Sequence, residues 1–282
     1  MKINIVKPQV WNFKVQGGET AWEEVAYSAK MSGVPASILG EDIFKMIIEN
    51  DYGSSLEHII LKFDLKMTKG NAPELLEHRM SSHSGYSTRY VKADKMYQRE
   101  ESAYEIIMPW HILKDEDEQE KLLKVVETSL STYERMLDAG LPRESARYIL
   151  PFCQAVGIYH FTMNLRSCLN FLGLRTCVRT SPEMRCLASQ IYFNLIESLP
   201  AVRGHMGCRG FNLKVCPESN VTGVREGEPL KSYPICPFRA ETDIFIPTRK
   251  QIRGGISINK FNKERALEIQ EGLFKKWASW EG

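Results

Sequence analysis

The densest group of polar side chains lies between Glu77 and Asp94, in the stretch EHRMSSHSGYSTRYVKAD. Fourteen of these residues, from Glu77 to Tyr90, include two histidines, two arginines and five serine or threonine hydroxyls. Guanidinium, imidazole and hydroxyl groups at this density suit the binding of phosphates or of a polar ring system. A solvated surface turn has the same composition, so the stretch by itself leaves both interpretations open.

The elements that position this stretch are predicted from hydrophobic periodicity. KINIV predicts a first strand, and the alternation of apolar and charged residues from Ile60 predicts a half-buried strand with His58 at its entrance. NAPELLEHRMSS predicts a helix on which Glu74 and His78 share a face. This helix is expected to end near residues 82–85.

Most other segments predict helices, because apolar residues recur at spacings of three and four. The clearest is 118–139, and AVGIYHFTMNLRSCLNFLGLR is predicted as one long helix that carries Arg166 and Asn170 on one face. The remaining predicted helices are ETAWEEVAYSAK, EDIFKMIIEN, SPEMRCLASQIYFNLIESLP and KERALEIQEGLFKKWASW.

Composition restricts the class of partner. The 282 residues are 43% hydrophobic and 26% charged, and the formal net charge is only +2, so any anion site must be local. Nucleic acid is therefore not an expected partner. The sequence has neither a signal-peptide pattern nor an apolar run of about 18 residues, which predicts a cytoplasmic protein with no membrane partner.

Five segments occur in an order and spacing that resemble the flavin-dependent thymidylate synthases, from residue 1 to about residue 200. The segments are LEHIILKFDL, HRxxSxxxxSxRY, ARYILP, NLRSCLNFLGLR and SPEMRCLA. The family's thirteen-residue signature corresponds to residues 77–89. The positions that match it are His78, Arg79, Ser82, Ser87 and Arg89, and those that differ are Glu77, Ser84 and Gly85.

The resemblance implies an FAD site. Guanidinium and imidazole groups pair with a pyrophosphate and with the flavin edge, whereas asparagines supply neutral donors and acceptors. For Arg166 and Asn170 the alternative is a satisfied polar patch inside a helical core. The positions that correspond to the family's FAD ligands are His58, His78, Arg79, Asn164, Arg166 and Asn170.

The resemblance also implies a pyrimidine nucleotide site with altered specificity. Ser87, Arg89, Arg147 and Arg175 match family positions that bind the nucleotide. Glu74 replaces a glutamine and Glu77 replaces an arginine, while Ser84-Gly85 replaces an Asn-Glu pair. Ionised carboxylates can only accept hydrogen bonds, so a substrate preference different from dUMP is expected. If the helix is rotated, both glutamates are simply surface charges.

The seven cysteines are an odd number in a chain without an export signal, which favours thiols or metal ligands over disulfides. Four of them are expected to lie in helical segments and to pack in the core. His205, Cys208, Cys216 and Cys236 have ligand types suited to zinc, but their spacing is irregular. The alternative is that these four residues bind no metal and belong to a loop-rich extension that packs on the catalytic body.

The resemblance implies an α/β (α+β) fold, with a mixed sheet flanked by long helices. A domain that binds FAD and nucleotide is expected at 1–200 and a C-terminal extension at 201–282. The implied assembly is a homotetramer with sites between subunits. The implied reaction is reductive methylation of a pyrimidine nucleotide, with methylenetetrahydrofolate and NADPH as cosubstrates and no nucleophile from the enzyme. Different base chemistry, or a non-catalytic flavin-binding or nucleotide-binding paralogue, are the alternatives.

Overall fold

The computed structural model describes residues 2–50, 52–95, 102–218, 236–239, 243–257 and 261–282. The strands are β1 Ile3–Val6, β2 Gln9–Val15, β3 Ile60–Thr68, β4 Ser81–Gly85, β5 Tyr104–Ile107 and β6 Ala155–Asn164. The helices are α1 Trp22–Met31, α2 Gly40–Glu49, α3 Ala72–Leu76, α4 Glu116–Asp138, α5 Arg143–Ala146, α6 Leu165–Arg175, α7 Pro182–Ser198, α8 Arg209–Leu213, α9 Arg249–Arg253 and α10 Lys263–Ser279.

The strands form two sheets, and the predicted mixed α/β class is confirmed. β1 and β5 pair in parallel, with Ile3 opposite Tyr104. The other sheet has the strand order β2-β3-β6-β4. β3 alternates as its sequence predicts, since Leu61 and Phe63 are fully buried and Lys62 is exposed. The period of two follows from the pleat, which sends successive side chains to opposite faces.

The long helix predicted from AVGIYHFTMNLRSCLNFLGLR is wrong in its first half. Residues 155–164 form strand β6, and only residues 165–175 form helix α6. In the strand, Tyr159 and Phe161 are buried while His160 between them is exposed, which is strand periodicity. Asn164 ends the strand and begins the helix, because its Oδ1 accepts the backbone N–H of Ser167 at 2.8 Å.

The signature stretch also differs from its predicted form. Helix α3 ends at Leu76, and the chain re-enters the sheet as β4, where the sequence predicted only the end of a helix. Met80 has a left-handed φ of 59° at the intervening turn. β2 and β5 were not predicted either, because β2 carries few buried residues and β5 has only four residues.

By its internal contacts the chain divides into two compact units. The first unit is Met1–Asn12, Phe63–Thr162 and Trp280–Gly282, and the second is Phe13–Lys62 and Met163–Ser279. The predicted domain boundary near residue 201 stays a prediction. In the second unit the predicted last helix is confirmed as α10, which packs on α7. No helix in the described ranges has the length and apolar character that crossing a bilayer requires.

The first unit buries an ion pair that fixes the end of β3 to β5. The Lys66 ammonium donates a hydrogen bond to the Glu105 carboxylate. The Glu105 side chain is fully buried, and the Lys66 side chain is only 11% exposed. Two charges removed from water are tolerated when each satisfies the other. Their pairing therefore specifies how the two strands pack.

Lys66→Met is expected to destabilise the protein by about 3–5 kcal/mol, because it leaves the Glu105 carboxylate buried without its cation. Urea unfolding followed by circular dichroism measures this cost. The exposed Lys62→Met is the matched control, and the double variant Lys66→Met/Glu105→Met is expected to cost less than Lys66→Met alone. An equal effect of Lys66→Met and Lys62→Met contradicts the assigned role.

Candidate active site

The first turn of α6 presents Arg166 on the surface of the second unit. Its Nη1 donates to Glu57 Oε1 at 2.8 Å, and a Cβ at Gly53 would lie 2.5 Å from its Nε. Glycine at position 53 therefore lets the guanidinium lie against the backbone. His58 is exposed at the end of a 3-10 helix, Gly53–His58, that packs on α6. Neither Gly53 nor Glu57 was among the predicted site residues.

The two predicted asparagines differ in what they do within this unit. Asn164 is half-buried and caps α6, whereas Asn170 is exposed and its Oδ1 accepts from Arg209 Nη2 at 3.2 Å. Arg175 is half-buried in the last turn of α6. Because the Arg166 side chain is 51% exposed, the alternative of a polar patch inside a helical core does not apply to it. One face of the second unit thus carries imidazole, guanidinium and amide groups.

The His-Arg pair of the signature lies on a turn of the first unit between α3 and β4. His78 is half-buried, and its carbonyl oxygen accepts from Ser81 Oγ at 2.9 Å. Arg79 is exposed directly before the left-handed Met80. The turn fixes the backbone on both sides of Arg79 and leaves its guanidinium accessible to solvent.

The two substituted carboxylates lie at the end of the same short helix. Glu74 is half-buried within α3, and Glu77 is exposed directly after it. The Glu77 backbone N–H donates to the carbonyl oxygen of Pro73 at 3.1 Å, so the helical turn extends up to the signature histidine. Glu77 is therefore accessible to solvent and to a ligand, whereas Glu74 is only partly accessible.

Arg89 is held by a carboxylate that the sequence did not indicate. Its Nε and Nη2 donate to Glu144 Oε2 at 3.2 and 2.9 Å, and its backbone N–H donates to Ser87 Oγ at 3.3 Å. The hydrogen bond that the Arg89 guanidinium donates to Glu144 raises the pKa of Arg89 above its ordinary value. Arg143 Nη1 donates to the Tyr90 carbonyl oxygen at 2.9 Å. Helix α5 and the segment 87–90 are therefore joined directly.

Arg147 directly follows α5 and is half-buried. It lies four residues after Arg143 in a continuous helical segment, so the two positions share a face. The structure thus brings three of the predicted nucleotide residues, Ser87, Arg89 and Arg147, to α5 and the segment that contacts it. Arg89, Arg143 and Arg147 outnumber the single carboxylate Glu144 on this helical segment and the segment that it contacts, so positive charge is in excess there.

An aromatic ring lies against Gly85, where the family signature has a glutamate. A Cβ at Gly85 would lie 2.3 Å from Cε1 of Tyr159, a buried residue on β6. Beside it, the His83 ring stacks on Phe161 with ring centroids 5.7 Å apart. No side chain fits at position 85 unless Tyr159 moves. The sequence shows the lost glutamate but gives no indication of the ring that excludes it.

The predicted zinc set is not assembled as expected. His205 Nδ1 lies 3.1 Å from Glu49 Oε1, and burial lowers the pKa of His205. The three cysteines of the set instead line a cavity together with Cys177, which was not in the predicted set. Within the described ranges, no three His, Cys, Asp or Glu side chains are arranged to hold a metal ion.

Comparison with known proteins identifies the family. The family described as thymidylate synthase complementing protein matches residues 16–201. The chain belongs to this family of enzymes. The match ends before Cys208, so three of the four cavity cysteines lie outside it.

Individual relatives agree with this assignment. The flavin-dependent thymidylate synthase of Thermococcus onnurineus is 31% identical over 192 residues, which cover 65% of this chain and 76% of that protein. The one from Clostridium tetani is 26% identical over 236 residues, or 74% and 91% of the two chains. The crystal structure of the UMP/dUMP methylase PolB from Streptomyces cacaoi, bound with 5-Br dUMP, covers 71% of this chain and 94% of that chain. Its TM-score is 0.58 at 19% identity, which shows a shared fold.

Gly85→Ala is expected to destabilise the protein by about 1–3 kcal/mol, because the new methyl group overlaps the Tyr159 ring. Thermal or urea unfolding measures the effect, and Ser84→Ala at the exposed neighbouring position is the control. In a Tyr159→Ala background the same change should cost much less. Equal costs in both backgrounds would show that the ring does not exclude a side chain here.

Proposed function

We propose that this chain is an FAD-dependent enzyme that transfers a one-carbon unit to C5 of a pyrimidine nucleotide. The family assignment supports a reaction of this class. The observation that carries the proposal is the arrangement of Arg166, which lies against Gly53 and is oriented by Glu57 beside the exposed His58. A guanidinium oriented in this way is prepared to pair with a pyrophosphate.

The residues present fit FAD. Arg166 and His58 supply cationic and imidazole donors at the N-terminal turn of α6, where the helix dipole also favours an anion. Gly53 leaves room that a Cβ would fill. We assign the same cofactor to the exposed Arg79, to His78 and to the amides of Asn164 and Asn170. When bound, FAD supplies the hydride that reduces the one-carbon unit on the pyrimidine.

The nucleotide phosphate is proposed to bind at Ser87, Arg89 and Arg147. Glu144 now accepts both hydrogen bonds from the Arg89 side chain, so it orients the guanidinium before the nucleotide binds. A phosphate monoester carries nearly two negative charges at neutral pH and three acceptor oxygens, whereas Glu144 carries one charge. The phosphate can therefore replace Glu144 as the partner of Arg89.

The substrate is proposed to be dUMP or a variant of it that presents an additional hydrogen-bond donor. Glu74 and Glu77 can only accept hydrogen bonds when ionised, and they repel a phosphate placed near them. A substrate with an exocyclic amine or an added hydroxyl can instead donate a hydrogen bond to these carboxylates, which then recognise it. We assign Arg175 to the base edge of the nucleotide.

We further propose that methylenetetrahydrofolate is the carbon donor and NADPH the reductant, in a cytoplasmic homotetramer. This chain's side chains bind and orient the reactants, and no residue of it is required as a nucleophile. A different modification of the base is the second candidate function. It is favoured by Tyr159, whose ring lies where the family signature carries a carboxylate.

The purified protein is expected to bind FAD, and Arg166→Gln should weaken binding on the order of 10- to 100-fold, since a charge-assisted hydrogen bond contributes about 1.5–3 kcal/mol. Titration with FAD, followed by flavin absorbance and fluorescence, measures the affinity. Arg135→Gln, at an exposed position of α4, removes the same charge as a control. A wild-type protein that gains no flavin absorbance on titration would refute the cofactor assignment.

The wild-type enzyme is expected to discriminate against dUMP, and Glu74→Gln/Glu77→Arg should raise dUMP turnover. Sites that read a hydrogen-bonding group discriminate by factors on the order of 10⁴ against a ligand that lacks it. Turnover with dUMP, UMP and CMP, together with rescue of a thymidine auxotroph, measures specificity. The control, Glu127→Gln/Glu120→Arg, makes the same charge change on the exposed face of α4. Robust thymidylate formation by the wild type would leave an ordinary thymidylate synthase.

A further inference from the structure

Four cysteines of the second unit line one cavity of about 180 Å³. They come from separate parts of the chain: Cys177 follows α6, Cys208 precedes α8, and Cys216 and Cys236 lie beyond α8. All four are free thiols, so no disulfide accounts for their convergence. A buried cysteine usually packs singly, as a small hydrophobic residue. Four cysteines around one cavity are a different arrangement.

Three of the cysteines pack together around α8. A Cβ at Gly210 would lie 3.5 Å from Cys216 Cβ and 3.7 Å from Cys208 Sγ. Cys208, Cys216 and Cys236 all pack against the core cluster that contains Phe211 and Phe238. The packing of the second unit therefore brings these thiols to the cavity that Cys177 also lines.

Every one of the four sulfurs accepts a hydrogen bond. The backbone N–H of Arg179 donates to Cys177, that of Phe238 to Cys236, and that of Phe211 to Cys208 at 3.5 Å. Cys216 accepts from a side chain, Arg239 Nη2, at 2.7 Å. Thiols are weak acceptors, whereas thiolates bound to metal are commonly stabilised by N–H groups directed at the sulfur. The backbone is therefore arranged for sulfur in its anionic form.

Arg239 provides a second, independent indication of negative charge in this cavity. It lines the cavity and is only 9% exposed. Its Nη2 also donates to the Glu218 carbonyl oxygen at 3.2 Å, whereas its buried Nη1 has no hydrogen-bond partner in the described part of the chain. A buried guanidinium is costly unless an opposite charge accompanies it. Thiolates that ligate a metal supply that charge.

We propose that Cys177, Cys208, Cys216 and Cys236 bind a thiolate-ligated metal centre, with an iron–sulfur cluster as the favoured occupant. A cavity of about 180 Å³ is far larger than the roughly 10–15 Å³ that a single water requires. A single zinc ion requires its ligands around one point, and within the described residues no three His, Cys, Asp or Glu side chains are arranged in that way. A cluster of several atoms with four cysteine ligands meets both conditions.

The centre joins the C-terminal segment to the body of the enzyme. Cys177 directly follows the turn at the end of α6, the helix that carries Arg166 and Asn170, whereas the other three ligands lie beyond residue 201. Metal binding contributes directly to the folding free energy when its ligands come from segments distant in the chain. This ligand set differs from the one that the sequence indicated in a single member, because Cys177 takes the place of His205.

The test is metal analysis of the full-length protein, purified without oxygen after growth with iron and zinc both supplied. Iron, zinc and acid-labile sulfide are measured per chain, together with absorption in the visible region. Cys177→Ser and Cys216→Ser should each reduce the bound metal at least about fivefold, since each removes a ligand. Cys153→Ser, which alters a thiol of the first unit, is the matched control and should leave the metal content unchanged.

Alkylation of the wild-type protein covers the case in which the serine variants fail to fold. Mass spectrometry should find the four cavity thiols protected before chelation and modified after it. Iron with sulfide supports the proposal in full. About one zinc per chain, lost in both variants, supports the four-thiolate site and overturns the cluster assignment. Absence of both metals from wild-type protein, or metal content unaffected by both serine variants, overturns the proposal.

Discussion

The change from strand to helix at Asn164 is the constraint on which the proposed flavin site depends. The Asn164 side chain accepts the Ser167 N–H, and the next residue, Leu165, donates its N–H to the Ile59 carbonyl oxygen at 2.8 Å. These two bonds end β6 and begin α6 beside the 3-10 helix that contains Gly53. Arg166 follows within the first turn, so the cap determines where its guanidinium lies. Loss of the cap would displace the Arg166 guanidinium, which we propose pairs with the FAD pyrophosphate.

The sequence predicted the type of most elements but not this change. β3, α4, α7 and α10 have long, regular patterns, and each was predicted correctly in type. The segment from Ala155 to Arg175 is apolar throughout, and an apolar run of that kind fits a buried strand as well as a buried helix. Asn164 is the only indication of the break, and its role as a cap depends on which hydrogen bonds the neighbouring segments leave available. Tertiary pairing with β3 and β4 decides the outcome.

The candidate site was predicted by residue type more completely than by environment. The family resemblance identifies binding residues such as His58, Arg79 and Arg166. It does not identify the neighbouring groups that orient a binding residue or that leave no room for a side chain. Glu144 and Tyr159 contact Arg89 and Gly85 from segments more than 50 residues away in the chain. No local pattern records such contacts. Cys177 was missed for the same reason, since its partners are known only when α6 and the C-terminal segment are packed together.

One central proposal follows: the chain keeps the FAD-binding and phosphate-binding residues of its family, whereas Glu74, Glu77 and Gly85 change the rest of the nucleotide site. A crystal structure of the protein with FAD and a pyrimidine nucleoside monophosphate tests it most directly. The account predicts that the flavin nucleotide pairs with Arg166, and that a phosphate bonded to Ser87 and Arg147 replaces Glu144 on Arg89. A phosphate bound elsewhere, with Arg89 still paired to Glu144, or a flavin that makes no contact with Arg166, would contradict it.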